Sequence, residues 1–203
     1  MLTSLKHFNE LLLNNEYIYC KVIKRKLASL IFHSLGWKAE GEIPSHIKKY
    51  VLLAAPHTSN WDFFYGRLFF IMKGIPLKFF IKQEWYVFPL NYLFKALGAI
   101  PVNRSKNKNL TDEIAAVFND YDELAIMIPP EGTRSYNPNW KKGFYYISKK
   151  AKVPIVLGYI DFENKIGGLG PVFNITDNPE KDIESIKDFY RGIKGKFPDQ
   201  GIL

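Results

Sequence analysis

The stretch YVLLAAPHTSNWD, residues 50–62, places a run of apolar residues directly before a polar segment. The run Val51–Ala55 has the length and the apolar character of a buried strand. Residues 61–73 have helical spacing, and Ser59 or Asn60 is a candidate N-cap for that helix. The stretch therefore predicts a strand–loop–helix unit with polar side chains where the strand ends.

The same alternation continues along the chain. Predicted strands are Val51–Ala55, Leu77–Ile81, Ala99–Val102, Leu124–Ile128, Val153–Ile160 and Val172–Ile175, and predicted helices are Trp61–Lys73, Phe88–Leu97, Leu110–Tyr121, Phe144–Lys152 and one that begins at Pro179. The glycine-rich segment Gly167–Pro171 is typical of a turn. Strands that alternate with helices predict an α/β fold, with a central mixed, largely parallel sheet flanked by helices on both faces.

Residues 1–36 have a different pattern. Between Leu5 and about Leu35, apolar residues recur every three to four positions with Lys and Arg between them, which predicts an amphipathic helical segment. Such a segment either rests in a membrane interface or packs on its own domain with its lysines in solvent. We expect residues 1–36 to form an N-terminal helical segment and residues 37–203 to form the α/β domain.

The composition restricts the partners and the compartment. The formal net charge is +8, which indicates a polyanionic partner such as nucleic acid, an anionic membrane or a phosphorylated substrate. Cys20 is the single cysteine, which excludes an internal disulfide. It is neutral as to compartment, though a reducing cytosol is the simpler expectation. No stretch approaches the roughly 18 uncharged apolar residues of a membrane-spanning helix. We expect a cytoplasmic protein that is soluble or bound to a membrane surface.

The polar segment after the first strand contains a candidate general base. Neutral imidazole takes a proton near neutral pH, and a carboxylate on its other ring nitrogen fixes the tautomer. Within one helix, a five-residue offset rotates side chains by about 140°, so His57 and Asp62 would not share a face. They meet if His57 lies in the loop and Asp62 lies in the first helical turn. Thr58 and Ser59 are too close to His57 to be confident nucleophiles.

A second polar cluster, residues 129–135, follows the apolar run Leu124–Ile128. Gly132 permits close approach of a ligand to the backbone, and the planar guanidinium of Arg134 suits phosphate. Glu131 could hold that guanidinium in place or accept a hydrogen bond from a substrate hydroxyl. Arg104 also follows a predicted strand, and two arginines beside a candidate base favour an anionic acceptor.

These clusters carry a resemblance to the glycerol-3-phosphate and lysophosphatidate acyltransferase family. Its first sequence block, histidine and aspartate separated by four residues, is similar to Pro56–Asp62, and its Glu-Gly-Thr-Arg-Ser block matches residues 131–135. Gly98–Arg104 resembles the second block, and residues 153–156 resemble the proline-bearing fourth. This chain departs from the pattern at three positions, with Pro101 and Asn103 in the second block and Gly158 in the fourth.

The resemblance implies transfer of a fatty acyl group from a thioester, on acyl-CoA or acyl carrier protein, to the hydroxyl of a lysophospholipid. It implies that His57 is the general base and Asp62 its orienting carboxylate. The residues expected to bind the acceptor phosphate are Arg104, Glu131, Gly132, Thr133 and Arg134. An anionic membrane surface is the expected partner, with the protein peripherally attached to the cytoplasmic membrane. No bound cofactor is expected, and no metal, because the other histidines show no ligand spacing.

Two other readings stay open. One keeps acyl transfer but changes the acceptor to a lyso-aminolipid or a lipid A-type sugar, as the altered second block suggests. The other is a non-catalytic module that binds nucleic acid or anionic membrane, based on the net charge, the aromatics and the lysines around Lys141–Lys152. The chain has no recognised nucleic-acid motif, so no nucleic-acid partner is expected.

Overall fold

The structure, a computed structural model, describes residues 19–102 and 109–202. The strands in these residues are β1 (Lys38–Glu40), β2 (Lys49–Ala54), β3 (Leu77–Lys82), β4 (Ala99–Val102), β5 (Leu124–Ile128), β6 (Ile155–Asp161) and β7 (Ile166–Phe173). They form one sheet in the order β1-β7-β6-β2-β5-β3-β4. Neighbouring strands run parallel, except that β6 and β7 are antiparallel. The predicted mixed, largely parallel sheet is confirmed.

Helices cover both faces of this sheet. They are α1 (residues 19–34), α2 (Asn60–Lys73), α3 (Leu90–Ala96), α4 (Leu110–Val117), α5 (Gly143–Ala151) and α6 (Pro179–Tyr190), with 3-10 turns at Gln83–Trp85, Phe118–Asp120 and Pro198–Gln200. Each predicted helix is present, with ends shifted by a few residues. The largest shift is in α4, which ends at Val117 and continues as a 3-10 turn rather than as α-helix to Tyr121.

Strand β2 lies at the centre of the sheet and contributes to both hydrophobic cores. Val51 and Leu53 pack with residues of α4, α5 and α6, whereas Leu52 packs on the opposite face with residues of α1 and α2. All three side chains are fully buried. A strand buried on both faces reads as a continuous apolar run, which is why the sequence revealed this strand so clearly.

The prediction of a turn at Gly167–Pro171 is wrong, because these residues lie inside β7. Strand β7 pairs with β6 and β1, and aromatic rings lie directly against its glycines. A Cβ on Gly168 would lie 2.1 Å from the Tyr159 ring, and one on Gly170 would lie 2.3 Å from the Phe189 ring. These glycines therefore make room for aromatic packing, a long-range requirement that the local sequence does not show.

Helix α1 packs on the sheet through only part of its surface. Ala28 and Phe32 are buried, and Phe32 contacts the Phe69 and Trp37 rings. Ile31 is half-buried, and five other large apolar side chains of α1 are exposed: Tyr19, Val22, Ile23, Leu27 and Leu30. The part of the predicted N-terminal segment before residue 19 lies outside the described residues. No helix in the described part of the chain is long and apolar enough to cross a membrane.

The register of the sheet brings two loops together at one edge. Leu53 of β2 pairs with Ile128 of β5, and Ala54 pairs with Gly158 of β6. These strands are parallel, so the segments that follow β2 and β5 leave the sheet side by side at its carboxyl edge. Residues 55–59, the His57 loop, and residues 129–139, the Arg134 loop, are therefore neighbours.

Candidate active site

The His57 loop ends at a well-capped helix. Ser59 is the N-cap of α2, with extended backbone, and its Oγ accepts a hydrogen bond from the Trp61 N–H at 3.1 Å. Asp62 is the third residue of the helix and accepts from the Ser59 N–H at 2.8 Å. This reciprocal capping box fixes where the helix begins and holds the Asp62 carboxylate over its positive end.

His57 and Asp62 are in contact. The Nδ1 of His57 lies 3.1 Å from Oδ2 of Asp62, and the same oxygen accepts from the Thr58 N–H at 2.7 Å. A carboxylate oxygen only accepts hydrogen bonds, so Nδ1 carries the proton and Nε2 is the basic nitrogen. The predicted contact is present because the chain bends at the His57 loop before α2 begins.

The pair is partly shielded from solvent. The side chain of His57 is 23% exposed and that of Asp62 is 10% exposed. The imidazole can therefore meet a substrate from one side, while its carboxylate partner is held inside by three donors. This geometry is suited to a general base whose orientation is fixed before substrate binds.

Glu131 connects the two loops. It follows β5, is 4% exposed, and its Oε1 accepts a hydrogen bond from the backbone N–H of His57 at 3.0 Å. Burial raises the pKa of the Glu131 carboxyl, and hydrogen bonds from its own backbone N–H and that of His57 oppose the rise. No described residue bonds to Oε2 of Glu131. One carboxylate oxygen of Glu131 is therefore buried without a hydrogen-bond partner among the described residues.

Residues 132–136 of the Arg134 loop face solvent. Gly132 has a φ of +66°, which favours glycine, and Thr133 Oγ1 accepts from the Ser135 N–H at 3.3 Å. Arg134 is exposed, and no described residue forms an ion pair or hydrogen bond with its guanidinium. The Asn137 amide donates to the backbone oxygen of Glu131 at 2.8 Å and so holds the loop folded. Arg104 lies outside the described residues, so its predicted place beside this loop stays a prediction.

A cavity of about 200 Å³ lies beside the Arg134 loop. Glu131 forms one wall, and the other walls come from Trp140, from α6 through Lys187 and Arg191, and from Ile202 near the C-terminus. Lys187 reaches across to the loop and donates to the backbone oxygen of Pro138 at 2.8 Å. Helix α6 therefore supports the loop as well as the core.

Sequence reasoning did not find the residues that brace the site from afar. The Tyr190 hydroxyl donates to the backbone oxygens of Leu53 and Gly158, and Thr58 Oγ1 accepts from the Phe197 N–H. The spacing of Ile183, Ile186 and Tyr190 signals only that one face of α6 is buried. Among the residues that the structure describes, no group of three or more His, Cys, Asp or Glu side chains is placed to hold a metal ion.

A comparison with protein families identifies the class of protein. The Acyltransferase family model matches residues 37–159, which is more than half of the chain. The chain belongs to the acyltransferase family.

Among solved structures, the chain is similar to the 1-acyl-sn-glycerophosphate (LPA) acyltransferase PlsC from Thermotoga maritima. The TM-score is 0.61 at 17% sequence identity, and the match covers 86% of this chain and 79% of that chain. At this identity the likeness shows a shared fold. A comparison with curated proteins gave no match.

Proposed function

We propose that this acyltransferase moves a fatty acyl group from acyl-CoA or acyl carrier protein to the free hydroxyl of 1-acyl-glycerol-3-phosphate, giving phosphatidate. The observation that carries the proposal is the His57–Asp62 hydrogen bond, which leaves Nε2 of His57 as the basic nitrogen at a partly open site. The likeness of the fold to an LPA acyltransferase supports the choice of acceptor.

The chemistry needs no covalent enzyme intermediate. Nε2 of His57 takes the proton of the acceptor hydroxyl as its oxygen attacks the thioester carbonyl carbon. The tetrahedral intermediate collapses, the carbon–sulfur bond breaks, and the imidazolium returns the proton to the leaving thiolate. Asp62 stabilises the imidazolium between these steps. A positioned general base typically raises the reaction rate roughly 100- to 10,000-fold.

The Arg134 loop is the proposed phosphate site. The Arg134 guanidinium is exposed with no partner among the described residues, so it is free to bind an anion bidentately. Gly132, whose N–H donates to the Pro129 oxygen, would let the phosphate approach the backbone closely. Thr133 would offer its own N–H, and Arg104 would add a second guanidinium. Glu131, bonded to the His57 N–H, would keep this loop in register with the His57 loop.

We also propose peripheral attachment to an anionic membrane surface on the cytoplasmic side. Two sets of exposed apolar side chains support it: the α1 set described above and a second set at residues 85–93, where Trp85, Val87, Phe88, Leu90, Tyr92 and Leu93 are exposed. Tryptophan and tyrosine favour membrane interfaces, and lysines on α1 would meet anionic headgroups. A lipid acceptor would then reach the site without leaving its bilayer.

The test is an acceptor screen with purified protein and two donors, acyl-CoA and acyl carrier protein. Acylated products are scored by mass, and acceptors include 1-acyl-glycerol-3-phosphate, a lyso-aminolipid and a lipid A-type sugar. The proposal expects phosphatidate as the main product. Exclusive acylation of a phosphate-free acceptor would instead contradict the role given to Arg134.

A further inference from the structure

The chain after α6 lies against the His57 loop, far from it in sequence. Residues 191–202, the C-terminal segment, begin after Tyr190, whose hydroxyl donates to the backbone oxygens of Leu53 at 3.2 Å and Gly158 at 3.3 Å. Burial raises the pKa of Tyr190 well above its ordinary value, so the hydroxyl stays protonated and donates. The segment therefore starts from a fixed point beside the carboxyl end of β2 and the middle of β6.

The C-terminal segment then contacts the His57 loop directly. Thr58 is 2% exposed, and its Oγ1 accepts a hydrogen bond from the Phe197 N–H at 3.3 Å. Gly195 packs on the same side chain so closely that an added Cβ would lie 2.6 Å from Oγ1 and 2.8 Å from Cγ2 of Thr58. Contacts below 3.0 Å force some group to shift, and the β-branched threonine side chain has little freedom to rotate away about χ1.

A movement of Thr58 would directly displace the His57–Asp62 pair. The Thr58 N–H donates to Oδ2 of Asp62 at 2.7 Å, the oxygen that also holds His57 Nδ1. The segment is also held just beyond the end of β6, because the Lys194 backbone oxygen accepts a hydrogen bond from the Phe162 N–H at 2.8 Å. The C-terminal segment, which contacts Thr58, thus acts on the position of the His57 imidazole.

We infer that the C-terminal segment, through Gly195 and Phe197, is a positioning element for the His57–Asp62 pair. It holds Thr58 in place, so it acts on the pair through the His57 loop. This inference rests on the proposed role of His57 as the base. The segment lies beyond residues 37–159, which carry the family match. The support of the pair is therefore supplied by a part of the chain outside the shared family region.

The first test compares Gly195→Ala with Gly192→Ala in the full chain. Both changes add one methyl group to the same segment, but a Cβ on Gly192 meets nothing within 4 Å. We expect Gly195→Ala to lower kcat about tenfold or more with little change in KM, since a misplacement of about 1 Å can cost roughly 100-fold. Gly192→Ala should match wild type. Wild-type kcat in Gly195→Ala would overturn the inference.

A second change shows whether the effect passes through Thr58. Thr58→Ala removes both atoms that the new methyl group would strike, so the double variant should match Thr58→Ala alone. Losses that multiply in the double variant would overturn the inference.

If Gly195→Ala does not fold, Thr58→Val replaces it, because valine keeps the shape but removes the acceptor for the Phe197 N–H. Thr58→Val should lower kcat, whereas Thr58→Ser keeps the hydroxyl acceptor and should keep kcat. Equal kcat values in the two variants would contradict the inference.

A readout without turnover separates this inference from the proposed function. The ring-proton resonances of His57, followed by NMR, should shift in Gly195→Ala and not in Gly192→Ala. If the wild-type protein acylates none of the acceptors, the proposed function fails, yet the resonances still report whether Gly195 positions His57. Unmoved resonances in folded Gly195→Ala would overturn the inference by themselves.

Discussion

One carboxylate oxygen of Asp62, Oδ2, accepts three hydrogen bonds, and these bonds fix the geometry of the site. One comes from the His57 ring and two come from backbone N–H groups of the His57 loop. The contact between His57 and Asp62 was predictable, because both residues belong to one strand–loop–helix unit whose pattern is visible in residues 50–62. The contact between Glu131 and the His57 N–H was not, because it joins a side chain to a backbone group 74 positions away.

Glu131 gives a prediction for stability against pH. Burial raises the pKa of its carboxyl above the ordinary 4.5, so the folded state holds that proton more tightly than the unfolded chain. The charged carboxylate therefore costs stability as pH rises from below 4.5 through the folded pKa. We expect Glu131→Gln to increase the free energy of unfolding at about pH 7, with a gain that shrinks towards about pH 4.

Urea unfolding at several pH values measures this difference. Glu163→Gln is the matched control, because Glu163 is exposed and the same substitution there should change little. A gain for Glu131→Gln that stays constant across the pH range would show that the charge of Glu131 is not its cause.

At the scale of elements, the Arg134 loop carries the phosphate hypothesis. Hydrogen bonds to charged groups contribute about 1.5–3 kcal/mol, so Arg134→Ala should raise the acceptor KM roughly 10- to 100-fold. Arg134→Lys keeps the charge but loses the planar fork, so we expect a smaller rise. Steady-state kinetics with each substrate varied in turn measures both effects. A change confined to the donor KM would remove Arg134 from the phosphate site.

Strand β7 shows where element prediction failed and why. The glycine-rich segment predicted a turn, but the glycines instead leave room for the aromatic rings that pack on the strand. Gly168→Ala would press a methyl group into the Tyr159 ring, and overpacking of this kind costs about 1–3 kcal/mol. Thermal unfolding measures the loss. Gly143→Ala is the control, since its Cβ meets nothing within 4 Å and it begins α5. Equal stability of both variants would contradict the packing explanation.

For the molecule as a whole, alternation of strands and helices was enough to predict the sheet class and its two covered faces. The antiparallel β7 and the short β1 were not predictable, because their pairing depends on long-range partners. The bracing of the active site by Tyr190 and Phe197 was hidden for the same reason. Sequence pattern reports which residues are buried, whereas the register of distant segments decides which buried residues meet.

The net charge of +8 bears on the proposed membrane surface. Attraction to anionic headgroups is screened by salt, whereas apolar insertion is not. We expect the protein to float with anionic vesicles at about 50 mM NaCl and to be partly released at about 500 mM. Vesicles of zwitterionic lipid should bind less at both concentrations. Equal binding to the two kinds of vesicle would contradict an electrostatic contribution.

The most direct measurement is the turnover of His57→Ala and Asp62→Asn, with thiol release and acylated product followed together. His46→Ala and Asp122→Asn are matched controls, because both residues are exposed and outside the site. We expect kcat to fall roughly 100- to 10,000-fold in the His57 variant and substantially in the Asp62 variant, with both folded and both controls active. Turnover at the wild-type rate by a folded His57→Ala protein would contradict general-base catalysis by His57.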